Sequence, residues 1–230
     1  KVFQIFTQPN NSEKKLVIMS HGFRGSSIGP SRSFVDFEKI LVNSGFSSLR
    51  FDQPCGSNSE GYFIDSSFIE WTNTLAYFAT KYLALGYKVS LLGQSMGATA
   101  TMQVASRKEL LDKIPCILLW VPDPKSTFTT EGNEIGEEAG QKYRELFWRE
   151  ARDSDFFKCI KDYCGGIHLV YGENDKYISK TLRNKVIEAV QKKNQQYMVL
   201  AGQDHSPWSF DSAQKVYQEE LVFLKKYFGD

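Results

Sequence analysis

The chain has 230 residues, of which 41% are hydrophobic and 24% are charged, and its formal net charge is +1. These values are typical of a globular enzyme with a single domain, and the nearly neutral charge argues against nucleic-acid binding, which requires a basic excess. No run approaches the ~20 apolar residues of a membrane-spanning helix, so we predict no membrane partner.

Short apolar runs that predict β-strands alternate along the chain with longer helical patterns. The predicted strands cover 2–6, 15–20, 46–51, 89–92, 117–121, 167–171 and 197–200. The predicted helices cover 33–43, 67–85, 98–111, 178–192 and 213–227. This alternation indicates an α/β fold with a mostly parallel sheet and helices on both faces. In such a sheet the functional loops lie at the carboxyl edge of the strands.

The interval from about residue 125 to residue 157 breaks the alternation because it carries no strand pattern. A polar, glycine-containing stretch at 129–140 is followed by a charged helical pattern at 141–152. Long excursions inside a compact domain are usually functional. We therefore expect one domain over 1–230, with an insertion at about 125–157 that covers the sheet edge as a small lid. Its many charges argue against an interfacial lipase.

The motif Gly-Gln-Ser-Met-Gly at 93–97 follows a predicted strand and precedes an alanine-rich predicted helix. In this context it indicates a nucleophile elbow, in which a strained turn exposes the serine and the glycines let strand and helix pass closely. We predict that Ser95 is a nucleophile and that the amide of Met96, at the helix start, stabilises an oxyanion. The alternative is a glycine-containing turn with an exposed serine.

A serine hydroxyl needs a general base, and the chain offers three histidines. His21 directly follows a predicted strand and His168 lies within one. His205 lies on a loop after the last predicted strand, which emerges at the same sheet edge as the elbow. We therefore predict His205 as the base, against the alternative of a solvated loop histidine.

The imidazole in turn needs a carboxylate that fixes its tautomer. Asp175 follows the predicted strand at 167–171, and His205 follows the next strand, at 197–200. Asp175 is therefore the predicted partner. Asp123, which follows the strand ending at 121, reaches the same edge and is the main rival, whereas Asp204 adjoins the histidine and is expected to point away. The resulting order of Ser95, Asp175 and His205 is the one found in α/β-hydrolases.

A second oxyanion donor is predicted in the segment His-Gly-Phe-Arg-Gly at 21–25, which follows an early strand. Its glycines allow the backbone to approach a substrate closely. We predict the amide of Phe23 as the donor. The alternative is a turn that only ends the strand.

Together with the elbow, three segments resemble the small carboxylesterases of the cinnamoyl/feruloyl esterase type, within the α/β-hydrolase superfamily. They are 21–25, Leu-Arg-Phe-Asp at 49–52 and Ser-Glu-Gly-Tyr-Phe at 59–63. The resemblance spans nearly the whole chain. It implies an α/β-hydrolase fold with a short lid, and the same nucleophile, base, acid and two oxyanion donors.

The chain departs from the pattern of that family at two places. In the loop after Asp52, Cys55 and Ser57 occupy positions where those proteins usually have glycine. In the elbow, Gln94 stands where histidine is common. Neither departure removes a catalytic group.

The aromatic residues Trp120, Phe147, Trp148 and Trp208 are predicted to line a substrate pocket, with packing in the core or lid as the alternative for each. We predict a serine carboxylesterase for small esters with a short or aromatic acyl group. A thioesterase or acyltransferase would use the same triad. A prolyl-oligopeptidase-like peptidase would usually carry a further large domain, and a non-catalytic receptor on the same scaffold is the alternative from another class.

The four cysteines, Cys55, Cys116, Cys159 and Cys164, are too scattered for a disulfide framework, so we expect reduced thiols and a cytoplasmic location. The chain does not begin with methionine, which leaves a removed leader open. Cys159, Cys164 and His168 have irregular spacing and no fourth ligand, so no metal and no cofactor are predicted. The expected partner is a small-molecule ester, and the oligomeric state is left open.

Overall fold

The computed structural model describes residues 1–10, 13–193 and 195–229. Its strands are β1 (Gln4–Thr7), β2 (Lys15–Ser20), β3 (Ser47–Phe51), β4 (Lys88–Gln94), β5 (Cys116–Trp120), β6 (Ile135–Glu138), β7 (Gln141–Arg144), β8 (Gly166–Gly172) and β9 (Gln196–Leu200). Its helices are α1 (Ser33–Asn43), α2 (Phe68–Ala84), α3 (Met96–Ala105), α4 (Leu146–Asp153), α5 (Phe156–Asp162), α6 (Lys180–Gln191) and α7 (Phe210–Phe228). None of the helices described is long and apolar enough to cross a membrane.

The central sheet has seven strands in the order β1-β3-β2-β4-β5-β8-β9. Only β1 is antiparallel to its neighbour, and the remaining pairs are parallel. In the middle of the sheet, Ile18 of β2 pairs with Leu49 on one side and Leu91 on the other. The predicted mostly parallel sheet is therefore confirmed, and the carboxyl ends of β4, β8 and β9 lie along one edge.

Both faces of the inner strands β2, β4, β5 and β8 are buried, which explains why these strands appear in the sequence as largely apolar runs. Along β2, Leu16 and Ile18 join the core cluster that contains residues of α2, α3, α5 and α6. The alternate residues Val17 and Met19 join the cluster of α1 and α7 on the other face. This period of two is the geometry of a strand with two covered faces.

Serine side chains determine where three of the long helices begin. Each accepts a hydrogen bond from a backbone amide in the first turn, which satisfies a donor that has no partner within the helix. These caps are Ser67, Ser179 and Ser209.

The predicted helix at 98–111 is wrong at its end, because α3 stops at Ala105. There Ser106 donates its hydroxyl to the carbonyl of Gln103 (3.0 Å) and a series of turns follows.

The insertion at 125–157 differs from its predicted form because it contains a β-hairpin. β6 pairs antiparallel with β7, and the helical pattern predicted at 141–152 becomes a strand up to Arg144 and a helix only from Leu146. Ala139 and Gly140 connect the strands and both have positive φ (49° and 77°), which suits a two-residue hairpin turn. The helix then packs Phe147 and Trp148 against side chains of α2 and α3.

Candidate active site

Ser95 lies between β4 and α3 in a strained backbone conformation, with φ 54° and ψ −121°. Such a conformation is costly for any residue other than glycine and persists only where the surroundings impose it. A Cβ atom on Gly97 would lie 2.1 Å from the carbonyl oxygen of Ser20, and one on Gly93 would lie 2.2 Å from that of Gly97. The helix α3 thus passes too close to β2 and β4 for larger residues at these two positions. The turn presents Ser95 to a cavity.

The structure brings the three predicted side chains Ser95, His205 and Asp175 together. His205 Nε2 lies 2.9 Å from Ser95 Oγ, and His205 Nδ1 lies 2.7 Å from Asp175 Oδ2. The other carboxylate oxygen of Asp175 accepts the amides of Tyr177 (2.9 Å) and Ile178 (3.0 Å). Because the side chain of Asp175 is fully buried and held by these donors, its free oxygen stays aimed at the imidazole.

Arg183 of α6 holds the loop that carries Asp175. Its guanidinium donates to the backbone carbonyls of Glu173 (2.7 Å), Asp175 (2.8 Å) and Ile178. It is itself buried, so three carbonyl acceptors replace its lost hydration. Sequence reasoning missed this residue, since an arginine on an amphipathic helix normally indicates a solvated face.

Asp204 joins the loop that carries Asp175 to the loop that carries His205. Its Oδ1 accepts the amides of His205 (2.7 Å) and Lys176 (3.1 Å), and its Oδ2 lies 2.9 Å from Lys176 Nζ. The hydrogen bond from the Lys176 side chain, helped by that from the His205 amide, lowers the pKa of Asp204 to about 2. The carboxylate therefore stays ionised and fixes the backbone beside the imidazole.

The rival carboxylate, Asp123, is not brought to His205. Its Oδ1 accepts the amide of Lys125 (3.0 Å) and its Oδ2 lies 2.8 Å from Lys125 Nζ. The same ammonium lies 4.3 Å from the ring centroid of Trp148. Both Asp123 and Lys125 line the cavity at Ser95, where they form an ion pair in its wall.

Phe23 and Met96 both line this cavity, and their backbone amides are the predicted oxyanion donors. Neither of them donates a hydrogen bond to any residue that the structure describes. The neighbouring amide of Gly22, by contrast, donates to Gln94 Oε1 at 3.1 Å. The two unpartnered amides are thus available to a bound oxyanion.

His21 braces the segment 21–25, which we call the oxyanion loop after the role predicted for it. Its Nδ1 donates to the carbonyl of Gly22 (2.7 Å) and its Nε2 accepts the amide of Gln53 (2.9 Å). Burial lowers the pKa of His21 to about 4, and the backbone amide pointing at Nε2 leaves no room for a second proton. His21 is therefore a neutral structural group at neutral pH.

The side chain of Phe23 attaches the oxyanion loop to the insertion. Its ring centroid lies 4.2–5.2 Å from those of four other aromatic residues, namely Phe63, Tyr143, Phe147 and Trp148. Beside it, Arg24 forms an ion pair with Glu138 of the hairpin. The conformation of the loop thus depends on both the aromatic cluster and the ion pair.

The cavity at Ser95 has a volume of about 540 Å³, which lies within the range of small-molecule sites. Of the four aromatic residues predicted to line it, only Trp148 does so. Phe147 is fully buried and instead packs behind Phe23 and against Trp71. The prediction for Phe147 is therefore wrong, because its side chain supports the wall from behind.

Trp120 and Trp208 do not line the cavity at Ser95 either, but a second cavity of about 220 Å³. The reason is the alternation along β5, where Leu119 joins the core on one face and Trp120 joins that of α1 and α7. Trp120 donates its indole N–H to Glu220 at 2.8 Å.

The arrangement can activate a hydroxyl, transfer its proton and stabilise an oxyanion, which are the requirements of acyl transfer. Within the described ranges, no group of three or more histidine, cysteine or acidic side chains is arranged to hold a metal ion.

No protein-family model matches the sequence, and no curated protein matches it. Solved structures do match. Est1E from Butyrivibrio proteoclasticus, with ferulic acid bound, is similar with a TM-score of 0.86 and 20% identity, over 100% of this chain and 96% of that chain. A monoacylglycerol lipase from Paleococcus ferrophilus has a TM-score of 0.78 and 16% identity, over 99% of both chains. Mouse alpha/beta hydrolase domain-containing protein 10 has a TM-score of 0.77 and 12% identity, over 98% of this chain and 94% of that chain. The chain therefore has the α/β-hydrolase fold.

Proposed function

We propose that the protein is a serine hydrolase that cleaves small carboxylic esters through an acyl-enzyme intermediate. Ser95 is the nucleophile, His205 the general base and Asp175 the residue that orients it. The observation that supports this proposal is the hydrogen-bonded series from Asp175 to His205 (2.7 Å) and from His205 to Ser95 (2.9 Å), at an elbow that exposes the serine.

In the first half of the reaction, His205 Nε2 takes the proton of Ser95 as Oγ attacks the ester carbonyl. Asp175 stays ionised, accepts a hydrogen bond from the Nδ1–H of the imidazole and stabilises the charged ring. The amides of Phe23 and Met96 donate to the oxyanion. When the tetrahedral intermediate collapses, the bond to the alcohol oxygen breaks and His205 gives its proton to that oxygen. Water then repeats the sequence on the acyl-enzyme.

The walls of the larger cavity favour an uncharged ester with a short or aromatic acyl group. Its cations, Arg24 and Lys125, are paired with Glu138 and Asp123, so the wall holds no isolated charge to attract an ionic substrate. Trp148 offers an aromatic surface. Two of the similar structures are of a protein with ferulic acid bound and of a monoacylglycerol lipase, which also supports an ester as the substrate.

The experiment that tests the proposal is hydrolysis of p-nitrophenyl esters from acetate to palmitate, together with methyl ferulate, by wild type and Ser95→Ala. We expect fast turnover of short or aromatic esters that disappears in the variant. If the folded wild-type protein hydrolysed none of the oxygen esters, that result would contradict the proposal. Turnover of thioesters alone would then make a thioesterase the better description.

A further inference from the structure

The second cavity, of about 220 Å³, lies between the starts of α1 and α7 and the loop after His205. Three aromatic side chains form much of its wall. The ring centroid of Trp120 lies 5.5 Å from that of Trp208 and 5.8 Å from that of Tyr217. Sites for drug-sized ligands usually occupy roughly 300–1,000 Å³. This cavity is smaller, so it suits one ring of a larger molecule.

The second cavity adjoins the one at Ser95, because three residues line both. They are Pro30, Gln94 and Ser206. Gln94 immediately precedes Ser95, and Ser206 immediately follows His205; Gln94 Nε2 donates to Ser206 Oγ at 3.2 Å. A substrate that extends from Ser95 past the base therefore reaches the second cavity.

The walls of the second cavity carry polar groups that no described residue satisfies. Ser33 Oγ and Trp208 Nε1 are buried without a hydrogen-bond partner. The side chain of Tyr217 is mostly buried, and its hydroxyl also makes no hydrogen bond within the described ranges, but that oxygen is not sealed off as the other two atoms are. All three groups can donate, and the two sealed atoms are costly to leave unpaired. Burial, with a further contribution from Asp36, raises the pKa of the Tyr217 hydroxyl, so it keeps its proton. An oxygen substituent on a bound ring would satisfy the Tyr217 hydroxyl, the one of the three donors that is not sealed off.

The chemistry of the first step determines which part of the ester lies there. The alcohol oxygen must receive its proton from His205 Nε2, so the alcohol leaves on the side of the histidine loop. The residues that follow His205, from Ser206 to Trp208, form the wall of the second cavity. The larger cavity, under the insertion, remains for the acyl group.

We propose that the second cavity binds the alcohol portion of the substrate, as a single aromatic ring that carries oxygen substituents. This inference rests on the proposed ester hydrolysis. In the step concerned, the bond between Ser95 Oγ and the carbonyl carbon forms and the bond from that carbon to the alcohol oxygen breaks. The serine proton reaches the alcohol oxygen through His205, and the released aryl-bearing alcohol occupies the second cavity.

The first test fills the cavity by Ala213→Phe, since Ala213 of α7 lines it and lies away from the catalytic groups. Gln218→Phe, at an exposed position of the same helix, is the matched control. The substrates are methyl acetate and 4-methoxybenzyl acetate, which share one acyl group. We expect Ala213→Phe to lower kcat/KM for the aromatic ester about 10–100-fold and to leave the methyl ester unchanged. Equal effects on both esters, or none, would overturn the inference.

The second test measures binding without turnover. In the Ser95→Ala protein, 4-methoxybenzyl alcohol is titrated while tryptophan fluorescence is followed, because two of the chain's four tryptophans line the cavity. We expect saturable binding that is lost on adding Ala213→Phe and kept on adding Gln218→Phe. If Ala213→Phe does not fold, Tyr217→Phe replaces it. This variant is expected to weaken the binding of 4-methoxybenzyl alcohol more than the binding of benzyl alcohol.

The two tests separate the proposals. Binding of the alcohol in a protein that hydrolyses no ester would support the site and contradict the proposed function. Hydrolysis of both acetates without alcohol binding would support the function and overturn the site.

Discussion

The triad and the oxyanion loop are supported in different ways. The triad residues follow parallel strands and are fixed largely by backbone hydrogen bonds, such as that from the Ser95 amide to the Trp120 carbonyl (2.8 Å). Phe23, in the oxyanion loop, depends on the aromatic side chains around it, most of which belong to the insertion. The side chains proposed to transfer the proton are therefore anchored in the sheet, whereas the position of Phe23, one of the two proposed oxyanion donors, depends on packing against the insertion.

The largest effect is expected at the nucleophile. Ser95→Ala removes the attacking oxygen, and we expect turnover of p-nitrophenyl acetate to fall by at least about 10⁴-fold. Because the hydroxyl makes few contacts, the midpoint of thermal unfolding is expected to change little. Appreciable turnover at the same site would show that the nucleophile lies elsewhere.

The next largest effect distinguishes the two carboxylates at the sheet edge. Asp175→Asn alters the group that accepts from His205 Nδ1, and we expect kcat to fall by about 10⁴-fold. Asp123→Asn is the matched control, since that carboxylate is paired with Lys125, and we expect a loss below about 10-fold. The reverse ranking would move the acid to the loop after β5.

Acid pH is expected to destabilise the protein through His21. The unfolded chain binds a proton at this residue below a pKa of about 6.5, whereas the folded protein does so only below about 4. Between these values the unfolded state holds more protons, so stability falls as pH falls. We expect the free energy of urea unfolding to decrease by about 2 kcal/mol from pH 7.5 to pH 5 through this group. His21→Gln is expected to flatten this dependence, and an unchanged slope in that variant would contradict the assignment.

The smallest effect tests whether the insertion supports the oxyanion loop. The rings of Tyr143 and Phe23 form a T-shaped pair with centroids 5.2 Å apart, but Tyr143 does not line the cavity at Ser95. Loss of a whole oxyanion donor costs about 10²–10³-fold in kcat. We therefore expect Tyr143→Ala, which only loosens the loop, to lower kcat by about 10-fold with little change in KM. Tyr77→Ala, on the exposed face of α2, is the control. A change in KM alone would show that the insertion acts on binding only.

The sequence was sufficient to predict the sheet because its inner strands β2, β4, β5 and β8 are buried on both faces and are therefore largely apolar. The elbow was also recognisable, since the close packing of α3 against β4 and against the end of β2 excludes a side chain at Gly93 and Gly97 and so leaves a short motif. The roles of Ser95, His205 and Asp175 stay predictions until activity is measured, although the structure brings their side chains together.

Other features depend on contacts that leave no local pattern. Arg183 acts on backbone carbonyls, which any sequence supplies. Trp120 points away from Ser95 because of its place in the alternation along β5, and a shift of one residue would reverse its face. The turn of the hairpin in the insertion consists of only two residues, Ala139 and Gly140, and its strands are polar. Because no apolar alternation marks these strands, the charged sequence was predicted to be a helix.

Gln94 has a consequence for how substrate preference can evolve in this chain. It stands where the two cavities adjoin, and both ends of its amide are engaged: Oε1 accepts from Gly22 in the oxyanion loop, and Nε2 donates to Ser206 beside the base. A substitution of Gln94 that changes the wall shared by the two cavities also disturbs the segment 21–25 and the loop after His205, so it is pleiotropic. Adaptive change, or directed evolution toward a different alcohol, is therefore expected to proceed through residues that line only the second cavity, such as Ser33 and Ala213.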